Sequence, residues 1–209
     1  DRKIIRIALI AILFSIFGVL DVSAANTKNV NMELEKVDKL TLSTKVNNEI
    51  TSVQSMAITR DSFVFVMTNT DNENAKNIFY VMDKNTHEYK GQYTVDSCGH
   101  GNGIAYNSDY NLLVVADGAH KKLIVYDAST FEKKKEIGTG TDEYNSITYD
   151  PDHKMFYLAP KKGNYIVRYN KDLVKQSNLV IESYNVDGSA YRINQDLGYN
   201  KNFIWRFLP

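Results

Sequence analysis

The sequence is poor in cysteine, proline and net charge, and each of these features excludes a class of protein. Its single cysteine, Cys98, cannot form an intrachain disulfide. We interpret Cys98 as a small packed residue near a turn, because no base stands beside it in the sequence to activate a thiol. Only three prolines and 43% hydrophobic residues argue against a disordered chain. The 25 basic and 25 acidic side chains cancel, which argues against a nucleic-acid partner.

Long apolar runs are also missing, except at the beginning of the chain. Arg2, Lys3 and Arg6 precede an uncharged apolar run over residues 7–20, and Val22-Ser23-Ala24 supplies small residues for a cut after Ala24 or Ala25. This pattern predicts a secretory signal peptide over residues 1–25. The alternative, an uncleaved membrane anchor, is disfavoured because the 14-residue run is shorter than the roughly 20 residues that span a bilayer.

The expected location follows from this signal. We expect a protein that is secreted or exposed at the exterior of the cell envelope, with no membrane span after cleavage. Residues 26–37 are polar and mixed and are interpreted as a linker.

No stretch after the signal shows a sustained helical period, but a five-residue anchor recurs. Each copy consists of an amide, a small or acidic residue, an aliphatic residue, a small residue and a bulky residue. The aliphatic positions are spaced 48, 43 and 50 residues apart. The four anchors are Gln54-Ser55-Met56-Ala57-Ile58, Asn102-Gly103-Ile104-Ala105-Tyr106, Asn145-Ser146-Ile147-Thr148-Tyr149 and Gln195-Asp196-Leu197-Gly198-Tyr199.

Each anchor is followed by the same succession of turns and strand-like runs. A turn rich in Asn, Asp, Ser and Pro leads to a second apolar run, and a polar loop leads to a third. In the three complete repeats a more polar fourth run follows, predicted at residues 88–95, 131–137 and 173–181. Four strands in 43 to 50 residues predict the blades of an all-β protein, a β-propeller, over residues 38–209.

The charge of the fourth run agrees with this arrangement. Glu132-Lys133-Lys134-Lys135-Glu136 suits the solvated outer edge of a blade better than a binding patch. The inner runs are apolar, as expected for strands that are covered on both faces.

Counting strands gives about three and a half blades. One further strand is predicted near residues 38–45, where it could pair with strands from the other end of the ring. A closed ring usually has four to eight blades. Two interpretations remain: a fragment of a ring of about six or seven blades, which we favour, or a small irregular ring.

The pattern resembles the broad WD40-like group of bacterial propellers with YVTN-type, NHL-type and SMP-30/gluconolactonase-like repeats. The resemblance covers residues 51–208 and rests on the strand period, on Ile124-Val125-Tyr126-Asp127 and on residues 145–152. It implies the propeller fold. In the gluconolactonase-like group, it also implies a divalent ion that acidic and amide side chains hold at the channel mouth.

The first residues of the anchors are the best candidates for a binding site. Because the anchors begin the innermost strands, their amides should form a partial ring at one mouth of the channel. Such a ring can bind a polypeptide, a glycan or a small polar molecule, since amides both donate and accept hydrogen bonds. Alternatively the amides cap strand ends and bridge blades. The four predicted ligand-binding residues are Gln54, Asn102, Asn145 and Gln195.

A second class of function is a metal-dependent hydrolase (a lactonase or esterase) or lyase of the SMP-30 or streptogramin-lyase type. Glu143 and Asp196, with Asn102 and Asn145, are the predicted counterparts of the ligands in that group. A divalent cation such as Ca²⁺ could be held there and could acidify a bound water. No other cofactor is expected, and the sequence has neither a Gly-x-Ser-x-Gly elbow nor a His-Glu-x-x-His motif.

His100 is the best single candidate for a catalytic base. It lies between Gly99 and Gly101, whose backbones can adopt unusual angles and present the imidazole to a ligand. The alternative is a structural hydrogen-bonding histidine in a turn. His120 and His153 are expected to be solvated in turns. The glycine-rich stretch is not a phosphate loop, because no helix and no Gly-Lys-Ser/Thr follow it.

Overall fold

The computed structural model describes residues 24–25, 49–163, 165–181, 196–200 and 203–207, and all its elements are β-strands. Ala24–Ala25 form β1. The next twelve strands form three four-stranded antiparallel sheets, which we call blades 1 to 3. Blade 1 contains β2 (Ser52–Ile58), β3 (Ser62–Thr68), β4 (Asn77–Asp83) and β5 (Tyr89–Val95). Blade 2 contains β6 (Gly103–Asn107), β7 (Leu112–Asp117), β8 (Lys122–Asp127) and β9 (Lys133–Gly138). Blade 3 contains β10 (Tyr144–Asp150), β11 (Met155–Pro160), β12 (Tyr165–Asn170) and β13 (Lys175–Ile181).

A two-stranded hairpin follows blade 3. It consists of β14 (Asp196–Asn200) and β15 (Phe203–Phe207). The first strands β2, β6, β10 and β14 contact one another in succession, so they are the innermost strands of adjoining blades. Three four-stranded sheets and a half-blade around these inner strands confirm the prediction of an all-β propeller with about three and a half blades.

Some predicted segments lie outside the described residues. They are the signal peptide apart from Ala24–Ala25, the linker at 26–37, the additional strand near 38–45, and Gln195. Ala24 and Ala25 pair in parallel with Val180 and Ile181 at the outer edge of blade 3. Among the described residues, no helix is long and apolar enough to cross a membrane.

The core lies between successive blades. Val66 and Phe79 of blade 1 pack in one cluster with Ile104 and Val115 of blade 2, and the other blade junctions are filled in the same way. Burial of this apolar surface is the main force that joins the blades.

In blades 2 and 3 and in the hairpin, the aliphatic position of the anchor packs against the preceding blade. Ile104, Ile147 and Leu197 are therefore at most 5% exposed, whereas Met56 is 43% exposed because no described blade precedes blade 1. The prediction that inner strands are covered on both faces is thus wrong for β2, which exposes Val53 and Ile58 as well.

The turns depend on Asx side chains. The carboxylate of Asp127 accepts hydrogen bonds from the backbone N–H groups of Ser129 and Thr130 at 2.9 and 3.1 Å. Each such turn ends in a residue with positive φ, such as Phe131 (60°) or Leu173 (64°). The fourth strands were predicted to begin at these two residues, but they begin two residues later, because a residue with positive φ cannot join the extended ladder.

The fourth strands β5 and β9 are largely exposed. Lys133 pairs with Glu136 at 3.0 Å, and Lys122 pairs with Glu136 at 3.3 Å. The charged run therefore lies on an outer strand, as predicted, where solvated ion pairs keep the edge polar.

Candidate functional site

The inner strands have two ends, which we name by the residues there. The upper mouth is the end where β2, β6 and β10 begin, and the lower mouth is the end where they finish at Ile58, Asn107 and Asp150. The predicted site residues Gln54, Asn102 and Asn145 lie toward the upper mouth.

The anchor amides occupy irregular positions in the ladder. The β2–β3 pairing shifts register between Val53 and Ser55, and the β10–β11 pairing shifts between Tyr144 and Ser146. Gln54 and Asn145 are therefore the bulge residues of their strands. A bulge redirects a side chain and is common beside binding sites. The sequence pattern did not reveal this, because register depends on the partner strand.

Two of the predicted binding residues are in direct contact. The side-chain nitrogen of Asn102 donates a hydrogen bond to the side-chain oxygen of Asn145 at 3.3 Å, across the junction of blades 2 and 3. Both side chains are partly exposed. Gln54 instead donates to the hydroxyl of Ser52 at 3.3 Å, within its own strand. Asn102 and Asn145 thus form an amide pair, and Gln54 is bonded separately from it.

The small residue after each amide joins one blade to the next. The hydroxyl of Ser55 donates to the carbonyl of Gly101 at 2.6 Å, and the backbone N–H of Leu197 donates to the hydroxyl of Ser146 at 2.7 Å. At the same position in blade 2, a Cβ on Gly103 would lie 2.8 Å from the backbone of Ser146. The alternative that the amides bridge blades agrees with the bond between Asn102 and Asn145, and the second anchor position bridges blades as well.

The glycine-rich lead-in to β6 is packed closely against blades 1 and 2. Gly99 and Gly101 have φ values of 60° and 59°, which favour glycine. A Cβ on Gly99 would lie 2.5 Å from the carboxylate of Asp117, and a Cβ on Gly101 would lie 2.6 Å from Val66. Both glycines are therefore required by packing and by backbone angle.

His100 lies between these glycines and faces the loop after β3. Its Nε2 atom is 3.3 Å from the carboxylate of Glu73, and its side chain is 34% exposed. Nε2 itself is buried and makes no hydrogen bond of good geometry to a described residue. The arrangement is an imidazole–carboxylate contact, with the ring nitrogen turned toward Glu73 and away from bulk solvent.

Cys98 is fully buried, and burial raises the pKa of its thiol to about 12. Its backbone N–H donates to the side-chain oxygen of Asn77 at 2.8 Å, and the Asn77 amide donates to the carbonyl of Gly99 at 3.1 Å. These contacts confirm the interpretation of Cys98 as a packed residue beside a turn.

A second histidine, His120, lies at the upper mouth. It is exposed, as expected, but it also makes two contacts that were not predicted: its Nδ1 atom lies 2.8 Å from the buried carboxylate of Asp117, and its Nε2 atom lies 3.2 Å from the side-chain oxygen of Asn74. His153 forms the same contact with Asp150 at 2.7 Å near the lower mouth. The signal was the shared Asp-x-x-His spacing. Because the same Asp–His contact occurs in turns at opposite ends of the inner strands, we interpret it as a structural turn motif of the fold.

The predicted metal ligands are placed as follows. Glu143 lies between Lys121 and Lys161, with carboxylate-to-ammonium distances of 4.0 and 3.6 Å. Asp196 is the first residue of β14, and its side chain is outside the described part of the structure. Within the described ranges, no group of three or more His, Cys, Asp or Glu side chains is arranged to hold a metal ion.

Beside the amide pair the upper mouth carries a shallow depression of about 260 Å³, lined by Thr141, Glu143, Pro160, Lys161 and Lys162. Lys162 makes no ion pair with a described residue. Two ammonium groups and one carboxylate therefore line the depression, and the ammonium group of Lys121 lies outside the lining, 4.0 Å from the carboxylate of Glu143. The arrangement can therefore present hydrogen-bonding amides and a positive rim to a polar or anionic group.

Comparison with known proteins supports the fold alone. No protein-family model and no curated protein matches the sequence. Among solved structures the chain is similar to hydrazine synthase of Kuenenia stuttgartiensis, with a TM-score of 0.51 and 19% identity over 74% of this chain and 41% of that chain. It also matches the WD40 repeats of RRP9, with a TM-score of 0.49 and 10% identity over 65% of this chain and 40% of that chain. The chain thus spans well under half the length of either structure.

Proposed function

We propose that the protein is an exported β-propeller binding module that recognises a polar ligand at its upper mouth. The ligand is an extracellular polypeptide, a glycan or a small polar molecule. The observation that carries the proposal is the amide pair of Asn102 and Asn145 at the junction of two blades, beside the depression bordered by Lys161 and Lys162.

The chemistry of this surface favours a ligand with hydrogen-bonding groups and an acidic group. The side-chain oxygen of Asn102 accepts no hydrogen bond from a described residue, so it can accept one from a hydroxyl or an amide of the ligand. Lys162 can contact a carboxylate, since it has no acidic partner within the described ranges. Among glycans and polypeptides, we therefore expect acidic ones to bind best.

The experiment is a binding screen of the purified chain against a printed array of acidic and neutral glycans and peptides. The strongest ligand is then titrated against Asn102→Asp, which replaces the amide by a like-shaped carboxylate, and against Lys162→Gln. Each variant should weaken binding roughly three- to tenfold. Asn102→Asp keeps an acceptor oxygen but places a negative charge next to the acidic ligand, and Lys162→Gln removes one exposed ion pair. Lys135→Gln, on the exposed outer strand β9, is the matched control and should bind as the parent does.

The alternative of a metal-dependent hydrolase or lyase draws on Glu143 and Asp196. No specific contact within the described ranges favours it, since Glu143 is engaged by two lysines. A calorimetric titration with Ca²⁺ separates the two hypotheses. Heat of binding that is lost in Glu143→Gln would support the metal site over the plain binding module.

A further inference from the structure

At the lower mouth, the same type of hydrogen bond recurs at the junctions between successive blades, which we call seams. Each anchor ends there in a bulky residue. The hydroxyl of Tyr149 donates to the carboxylate of Asp109 in blade 2, and the hydroxyl of Tyr199 donates to the carboxylate of Asp152 in blade 3 at 2.7 Å. Asp109 and Asp152 occupy the same place in their repeats, three residues after the bulky anchor residue. Two successive seams are therefore closed by the same tyrosine–aspartate bridge.

The seam between blades 1 and 2 lacks this bridge, although both residue types are present. Asp61 is the acid in the corresponding position, but its carboxylate pairs with Lys90 at 3.0 Å and accepts a hydrogen bond from Ser62 at 2.9 Å. Tyr106 is the corresponding tyrosine, but its hydroxyl donates to Asn111 of its own blade at 2.9 Å. Both partners are engaged elsewhere, so the seam stays open.

A depression of about 340 Å³ lies at the lower mouth, lined by residues on both sides of this open seam and by Tyr149 and Pro151 of blade 3. Its apolar wall is formed by Ile58, which is 52% exposed, by the partly exposed Tyr106, and by Pro151. The rim carries Arg60 and Ser108, both exposed. The guanidinium of Arg60 makes no hydrogen bond or ion pair with a described residue. The remaining lining residues are Thr59 and Tyr149.

From this geometry we infer that the open seam of the lower mouth is a second binding site, which takes a small aromatic carboxylate. The aromatic ring of the ligand packs against Tyr106, Ile58 and Pro151, where apolar surface is already exposed to water. Its carboxylate contacts the guanidinium of Arg60 and the hydroxyl of Ser108, because a planar guanidinium binds a carboxylate with two parallel hydrogen bonds. The volume of the depression suits a compact ligand. The site is at the opposite end of the inner strands from the amide pair, so it is independent of the proposed upper site.

The test is a titration of the ¹⁵N-labelled chain with phenylacetate, followed by NMR. We expect a Kd in the millimolar range, as is usual for a ligand of this size, with shifts confined to residues around Ile58, Arg60, Tyr106 and Ser108. Arg60→Gln should raise the Kd about fivefold, the effect of one exposed ion pair. Tyr106→Ala should abolish saturation within the solubility of the ligand. The spectrum of each variant without ligand shows whether its fold is retained.

Two small probes and one control variant make the result decisive. 2-Phenylethanol, which lacks the carboxylate, should bind more weakly and should not respond to Arg60→Gln. Lys154→Gln removes a cation at the same end of the molecule but outside the depression, and should leave the Kd for phenylacetate unchanged. The inference is overturned if acetate binds as well as phenylacetate, if Arg60→Gln and Lys154→Gln weaken binding equally, or if the shifts are scattered.

Discussion

The hydroxyl of Ser55 in blade 1 donates a 2.6 Å hydrogen bond to the carbonyl of Gly101, which lies 46 residues further along the chain. This bond joins the inner strand of blade 1 to the loop that enters blade 2. We expect Ser55→Ala to lower the free energy of unfolding by about 1–2 kcal/mol, because the buried carbonyl of Gly101 loses its partner. Urea denaturation measures the loss. Ser108→Ala, at an exposed turn, is the control and should change stability by less than about 0.5 kcal/mol.

In blade 2, the anchor position that corresponds to Ser55 of blade 1 is occupied by Gly103, where there is no room for a side chain. A Cβ there would lie 2.8 Å from backbone atoms of Ser146 and Ile147. We expect Gly103→Ala to destabilise the protein by about 1–3 kcal/mol, since backbone atoms cannot move aside cheaply. Gly138, where an added Cβ meets nothing within 4 Å, is the matched control. Equal unfolding midpoints for Gly103→Ala and Gly138→Ala would contradict the packing between blades 2 and 3.

The aliphatic anchor position gives a second matched pair. Ile104 is buried against blade 1, whereas Met56 is 43% exposed at the same position of its own repeat. Ile104→Ala should cost about 2–5 kcal/mol, because it leaves a cavity between blades. Met56→Ala should cost less than about 1 kcal/mol, since little buried surface is lost. If thermal and urea unfolding show similar losses for both variants, the outward face of β2 is covered in solution.

The Cys98 thiol should be unreactive in the folded protein. Burial raises its pKa to about 12, so almost no thiolate exists at pH 8. We expect Ellman's reagent to label Cys98 only as fast as the protein unfolds, and at once in denaturant. Rapid stoichiometric labelling of the native protein at pH 8 would show that the thiol is accessible, contrary to this structure.

Asp127 makes stability depend on pH. Hydrogen bonds from the backbone N–H groups of Ser129 and Thr130 lower the pKa of its carboxyl in the folded state. The unfolded chain therefore binds a proton more readily, so the stabilisation is fully present above about pH 4 and is lost as the pH falls through the lower folded-state pKa. We expect the difference in unfolding free energy between the parent and Asp127→Asn to shrink from pH 7 to pH 3. If this difference stays constant with pH, the charge of the Asp127 carboxylate does not contribute to the free energy of unfolding, and only the shape of the side chain does.

Much of the architecture could be predicted from the sequence because its signals are local. The anchors, the Asx turns and the charged outer strand β9 each depend on a few neighbouring residues, and within the described residues the structure places them as expected. The positive φ at Phe131 and Leu173 explains why the fourth strands begin later than predicted. The apolar side chains of these two residues fit a strand pattern, but their backbones close a turn.

The contacts at the two mouths could not be predicted, because they join residues that are far apart in sequence. The bulges at Gln54 and Asn145 depend on the register of the partner strand. The bridge from Tyr149 to Asp109 spans 40 residues, and nothing near either residue indicates it. The contact of His120 with Asp117, in contrast, joins residues that are close in sequence. The Asp-x-x-His spacing is visible there, but the contact between the imidazole and the carboxylate was not predicted from it.

The most direct test of the proposed function is an NMR footprint of the strongest array ligand on the ¹⁵N-labelled chain. The account predicts that the largest shift changes fall on Asn102, Asn145, Lys161 and Lys162, and that they saturate with a single Kd that rises with salt concentration. A footprint on the outer strands β5 and β9, with Asn102 and Asn145 unchanged, would contradict recognition at the upper mouth.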